Sequence, residues 1–63
     1  MKQNYALVKK AEDMIDGKNV HEIKGAINLY CVRVMQYNRK AKGCDKAYVK
    51  EAEDRLRKVI EDN

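Results

Sequence analysis

Apolar residues recur at helical spacing near the start of the chain, at positions i, i+1, i+4, i+7 and i+8. At 100° per residue they fall within one stripe about 120° wide, which is typical of an amphipathic helix that packs on one side. The stripe consists of Leu7, Val8, Ala11, Met14 and Ile15. The pattern predicts a helix over residues 4–16, with Gly17 as its left-handed C-cap.

A longer apolar face follows over residues 20–42. Asn19, with Glu22 three residues later, resembles a capping box at the start of this segment. Basic residues followed by Gly43 have the pattern of a helix C-terminus. We therefore predict one long central helix that packs against both shorter helices through a broad face. This face contains Val20, Ile23, Ala26, Ile27, Tyr30, Cys31, Val34, Tyr37 and Ala41.

The last periodic segment spans residues 45–61 and opens with Asp45, a favourable N-cap residue. Its apolar residues form a single stripe, and its charged residues form acid-first i, i+4 pairs that stabilise an exposed helical face. The stripe contains Val49, Ala52, Leu56 and Val59, with Tyr48 and Ile60 flanking them. The pairs are Glu51–Arg55, Glu53–Arg57 and Asp54–Lys58.

The three segments predict an all-α fold, a small antiparallel three-helix bundle that forms a single domain over residues 1–63. The chain contains no proline, so the strongest breaker of helix interiors is absent. Residues 27–37 are rich in Ile, Val and Tyr, which favour strands. A lone strand there would have no pairing partner unless the first segment were also a strand, so we favour the helical interpretation.

A second stripe lies almost opposite the core face of the central helix. Gly25, Leu29, Val32 and Gln36 are spaced by four, three and four residues, and Met35 lies on the shoulder of the stripe. A monomer would leave Leu29 and Val32 in water, and a chain of fewer than about 70–80 residues gains stability from association. We predict self-association through this stripe, with a dimer favoured. The alternatives are two apolar side chains tolerated in water, or docking of a different protein.

Several kinds of reaction chemistry lack the residues that they need. The chain has no Ser and no Thr, and its two cysteines and one histidine are too few for a four-ligand zinc site. On one helix, His21 and Cys31 would lie about 15 Å apart, which is too far for a catalytic pair. The three glycines are isolated and form no phosphate-binding loop. We expect no enzymatic activity, no cofactor and no metal.

No apolar run has the length of a signal-peptide core or of a membrane-spanning helix. The densest stretch, residues 26–35, is interrupted by Asn28 and Arg33. The two cysteines also lack the number and spacing of a secreted disulfide framework. We expect a soluble, cytoplasmic protein without membrane contact.

The positive charge is concentrated toward one part of the chain. The net charge is +4, with +5 in residues 1–43 and −1 in residues 44–63. A basic patch around the second turn would bind nucleic-acid phosphates or an acidic partner. Cations also occur at helix C-termini because they complement the helix dipole. This basic patch contains Tyr37, Arg39, Lys40, Lys42, Lys46 and Lys50.

The sequence therefore predicts a function that depends on surfaces. We expect a non-enzymatic regulator, adaptor or inhibitor that binds another protein and self-associates through its central helix. The short length is also typical of the small accessory proteins that phages encode. The alternative is a small basic nucleic-acid-binding protein that uses the patch around the second turn.

Overall fold

Three helices and no strands make up the chain in a computed structural model that describes residues 1–63. Helix α1 spans Tyr5–Asp13, α2 spans Val20–Asn38 and α3 spans Lys46–Asp62. The all-helical prediction is confirmed, and the strand alternative for residues 27–37 is wrong because all of them lie in α2.

Helix α1 begins where expected but ends early. The Asn4 side chain caps it by accepting a hydrogen bond from the Leu7 backbone N–H at 3.1 Å. The helix stops at Asp13 instead of residue 16, and Gly17 does not adopt a positive φ, so the predicted glycine C-cap is wrong. Polar side chains in the following turn bond the backbone instead.

Asn19 and Asp16 build this turn through local hydrogen bonds. The Asn19 amide donates to the Met14 carbonyl at 3.0 Å, and its oxygen accepts from the Asp16 N–H at 2.7 Å. The Asp16 carboxylate in turn accepts from the N–H groups of Lys18 and Asn19. Such bonds compete with helical ones. Because Asn19 is engaged here, it gives α2 no side-chain cap, and the predicted capping box is wrong.

Helix α2 ends at Asn38, four residues before the predicted end at residue 42. Lys40 adopts the left-handed conformation with φ 58°, its N–H donates to the Tyr37 carbonyl, and the Ala41 N–H donates to the Gln36 carbonyl. These two bonds form a Schellman motif, which stops the helix and satisfies its last carbonyl groups. The left-handed residue that closes α2 is therefore Lys40, which follows the C-cap Arg39, whereas Gly43, with φ 81°, lies further along the loop.

Helix α3 matches its prediction within one residue at each end. The Asp45 carboxylate accepts a hydrogen bond from the Tyr48 N–H at 2.9 Å, as an N-cap does. Among the three predicted ion pairs only Glu53–Arg57 forms. Lys50 instead pairs with Asp54 at 3.3 Å.

The core lies mainly between α2 and α3. These two helices contribute nine of the eleven buried hydrophobic side chains, and α1 contributes Val8 and Ala11. The predicted apolar stripes supply all eleven, so helical periodicity located the core. Ala41 is the exception among the predicted core residues, because it lies beyond the end of α2 and is exposed. The buried residues are Val8, Ala11, Ile23, Ala26, Tyr30, Val34, Val49, Ala52, Leu56, Val59 and Ile60.

Candidate functional site

An exposed apolar strip runs along the outward side of α2. It consists of Gly25, Val32 and Met35, and we call it the outer strip. The side chains of Val32 and Met35 are 42% and 44% exposed, and they are neighbours because residues three apart share a helical face. A Cβ atom built at Gly25 would have no atom outside its local helix within 4 Å. Gly25 therefore leaves the backbone of α2 open to close approach from outside.

Leu29 and Gln36, the other residues of the predicted stripe, lie at the edge of this strip. Leu29 is half-buried and packs against the core. The expectation that a single chain would leave Leu29 in water is therefore wrong. Gln36 is also half-buried, and its side-chain oxygen faces the Cys44 Sγ at 3.8 Å. The chain itself thus covers part of the stripe.

Arg33 explains why this side of α2 is covered. Its guanidinium lies 4.0 Å from the centre of the Tyr48 ring, donates to the Tyr48 carbonyl at 3.0 Å and lies 3.6 Å from the Glu51 carboxylate. Its side chain is only 14% exposed, and its buried Nε has no hydrogen-bond partner. Leu29, one turn earlier, lies on the same side of α2. Arg33 therefore belongs to the contact between α2 and α3.

The basic patch occupies the loop after α2 and the start of α3. Arg39, Lys40 and Lys42 lie beyond the last turn of α2, which itself contains no basic residue. Arg39 is the C-cap residue of α2, where a cation still complements the helix dipole, whereas Lys42 lies further along the loop. Of the five cations in the patch, only Lys50 forms an ion pair, with Asp54. The other four are exposed, and Tyr37 is half-buried beside them.

A groove that the sequence did not indicate lies between the N-terminal segment and the end of α2. Met1, Tyr5 and Met35 line it together with Lys2 and Arg39, and we call it the N-terminal groove. The apolar side chains are well exposed, 46% for Met1 and 70% for Tyr5. Tyr5 lies outside the apolar stripe of α1. This departure from the helical periodicity was the only feature of the sequence that pointed to the groove.

Hydrogen bonds hold the N-terminal segment against α2. The Asn38 side chain accepts from the Met1 ammonium at 2.7 Å and donates to the Met1 carbonyl at 2.9 Å. The Asn4 N–H donates to the Tyr30 hydroxyl at 2.6 Å. The bonded residues are separated by 26 or 37 positions in the sequence. No local sequence pattern could therefore have located the groove.

The two thiols and the single histidine lie apart from one another in the chain. Cys31 and Cys44 are free and half-buried, and His21 is exposed in the first turn of α2. Burial, together with the Glu12 carboxylate, raises the pKa of the Cys31 thiol above its ordinary value. The fold brings together no group of three or more His, Cys, Asp or Glu side chains that could hold a metal ion.

The apolar stretches of α1, α2 and α3 fall short of the length or hydropathy that a membrane-spanning helix requires. Comparisons with models of protein families, with curated proteins and with solved structures find no match to this chain.

Proposed function

We propose that this chain is a non-enzymatic protein-binding module, an antiparallel three-helix bundle that works as a dimer joined through the outer strip. The observation that carries the proposal is the exposure of Val32 and Met35 side by side on α2, next to Gly25. The half-buried side chains of Leu29 and Gln36 would form the edge of the same contact.

Gly25 supports a close contact between two α2 helices. A glycine in a helix interior costs about 1 kcal/mol relative to alanine, and no atom of this chain outside the local helix approaches the position of its missing Cβ. A second helix would use that space, since small residues let two helix backbones approach closely. An isologous dimer would place the same strip on both sides of the contact.

Sedimentation velocity over a range of protein concentrations tests the dimer. The wild-type chain should shift from monomer to dimer, and Val32→Glu should remain a monomer because a carboxylate would be buried in the contact. Ala47→Glu, at an exposed position of α3 outside the outer strip, is the matched control and should dimerise as the wild type does. A wild type that stays monomeric at all concentrations would refute the proposal.

Gly25→Ala gives a second test, because its two expected effects have opposite signs. In the monomer, alanine should raise the free energy of unfolding by about 0.5–1 kcal/mol through helix propensity. In the dimer, the added methyl group should separate the two helices and weaken association. A variant that is more stable at low concentration and equally dimeric at high concentration would show that the contact lies elsewhere.

A second candidate function, nucleic-acid binding, is favoured by the four unpaired cations of the basic patch. Lys42→Glu with Lys46→Glu should abolish binding to labelled DNA and RNA oligonucleotides, and Lys18→Glu with Lys58→Glu is the control with the same charge change. Binding through about four phosphates should give a slope near −3 to −4 in log K against log salt. No binding at about 50 mM salt would exclude this function.

A further inference from the structure

We propose that the N-terminal groove is a docking site for an acidic, amphipathic peptide segment of a partner protein. An apolar side chain of that segment would pack among Met1, Tyr5 and Met35, and its carboxylates would pair with Lys2 and Arg39. The inference deepens the proposed protein-binding function, on which it rests, and assigns the partner a surface distinct from the centre of the dimer contact.

The positive charge of the groove favours a partner that carries acidic side chains. No acidic side chain lines it, and its two basic side chains, Lys2 and Arg39, are exposed and take part in no ion pair of this chain. Lys40 extends the basic rim, because it borders an adjoining depression that shares Met1 with the groove. Carboxylates of a partner would find unpaired cations there, and guanidinium groups such as that of Arg39 bind carboxylates well.

A second copy of the chain is a poor occupant of this groove. In a symmetric contact the same surface would face itself, and the Lys2 and Arg39 side chains of two chains would approach one another. Like charges at such a contact disfavour association. The dimer contact proposed above consists of Gly25, Val32 and Met35, and of these only Met35 also lines the groove.

The construction of the groove suits a peptide. Its N-terminal wall is tied to α2 by the two hydrogen bonds of Asn38, so the site is already formed before a partner arrives. Methionine side chains adapt to different apolar partners, and tyrosine offers an apolar ring with a polar end. Single-stranded nucleic acid is less well matched, since Tyr5 is the only exposed aromatic side chain on which a base would stack here.

The test uses a labelled helical peptide of about 16 residues, with leucine on one face and glutamate on the other. Fluorescence anisotropy measures its affinity, and backbone amide NMR spectra of the full chain locate its site. We expect saturable binding that weakens with salt, with the largest shift changes at Tyr5, Met35 and Arg39. A peptide with lysine in place of glutamate should not bind.

Variants distinguish peptide binding in the N-terminal groove from nonspecific electrostatic attraction to the whole chain. Lys2→Glu with Arg39→Glu should raise the Kd about tenfold or more, whereas Lys18→Glu with Lys58→Glu should raise it less than about threefold although the net charge changes equally. Tyr5→Ala should also weaken binding, with circular dichroism confirming the helical fold of every variant. Val32→Glu should not weaken peptide binding, because loss of the dimer leaves Met35, the one residue common to both surfaces, free for the peptide. Loss of the dimer and loss of the groove therefore remain separate results.

Three outcomes would overturn the proposal. The first is no amide shift change at about 1 mM peptide. The second is an equal effect of the groove variants and the charge-matched control. The third is tighter binding of a single-stranded oligonucleotide to the same residues, which would assign the groove to nucleic acid.

Discussion

Tyr30 links the N-terminal segment to the core through a single hydroxyl group. Its ring is buried on α2, and its hydroxyl accepts the hydrogen bond of the Asn4 N–H at the start of α1. A buried tyrosine generally needs a partner for its hydroxyl. The helical pattern identified Tyr30 as a core residue, but the partner of its hydroxyl depends on how α1 lies against α2.

Tyr30→Phe should lower the free energy of unfolding by about 1–2 kcal/mol, because it leaves the partly buried Asn4 N–H without an acceptor. Chemical denaturation followed by circular dichroism measures the change. Tyr5→Phe is the control, since its ring is 70% exposed, and it should change stability by less than about 0.5 kcal/mol. Equal stability of Tyr30→Phe and wild type would show that water replaces the hydroxyl.

Cys31 should react slowly with alkylating agents. Its raised pKa lowers the fraction of thiolate, the reactive form, at any pH below that pKa. In a Cys44→Ala background, Glu12→Gln should lower the Cys31 pKa and speed its alkylation by iodoacetamide at pH 8, without restoring the ordinary value, because burial is the larger cause. Glu22→Gln, at an exposed position of α2, is the control and should leave the rate unchanged.

The raised pKa of Cys31 makes the folded chain less stable as the pH rises. The folded chain keeps the Cys31 proton to higher pH than the unfolded chain does. The contribution of Cys31 is therefore complete below the unfolded pKa, and it is lost as pH rises from that value through the folded pKa. Cys31→Ala should remove this part of the alkaline loss of stability, as measured by denaturation at several pH values. An unchanged pH profile would contradict this assignment.

At the scale of elements, the ends of the helices depend on side chains that compete for the backbone. Asp45 bonds the Tyr48 N–H, and α3 begins where the sequence predicts. Asn19 has a similar capping ability, but its amide and oxygen bond Met14 and Asp16, and α2 begins without a side-chain cap. A residue type that suits a cap thus predicts a helix start only when no neighbouring backbone group offers another partner.

Lys40→Gly should stabilise the protein by about 0.5–1 kcal/mol. Lys40 holds the left-handed position of the Schellman motif with φ 58°, which glycine adopts without steric cost. Lys42→Gly is the matched control. It removes the same charge nearby, but Lys42 lacks a positive φ, so glycine should lower stability there. Thermal unfolding of both variants measures the difference, and changes of the same sign would contradict the predicted role of the cap.

At the scale of the molecule, α1 is the least strongly held helix. It contributes two of the eleven buried hydrophobic side chains, against nine from α2 and α3. It is also the shortest, with nine residues. The N-terminal groove is therefore built partly on an element with few core contacts, and its shape depends on the hydrogen bonds of Asn38 and Tyr30.

Hydrogen exchange should report this difference between the helices. We expect the amides of α1 to open at lower free energy than those in the centres of α2 and α3. Asn38→Ala should leave α1 helical but increase exchange near its start, because both bonds to Met1 are lost. Equal protection of α1 and α3 in the wild type would show that the chain unfolds as one cooperative unit.

Helical periodicity was enough to predict the three helices and every buried hydrophobic residue, because a helix packed on one side repeats its apolar residues at a fixed angular spacing. Contacts in the folded chain set where α1 and α2 end. They also turn Arg33 and Leu29 toward the rest of the chain and bring Met1 and Tyr5 to Met35. Periodicity tells which face of a helix is apolar. Which element covers that face depends on contacts between residues far apart in the chain, and no local spacing contains them.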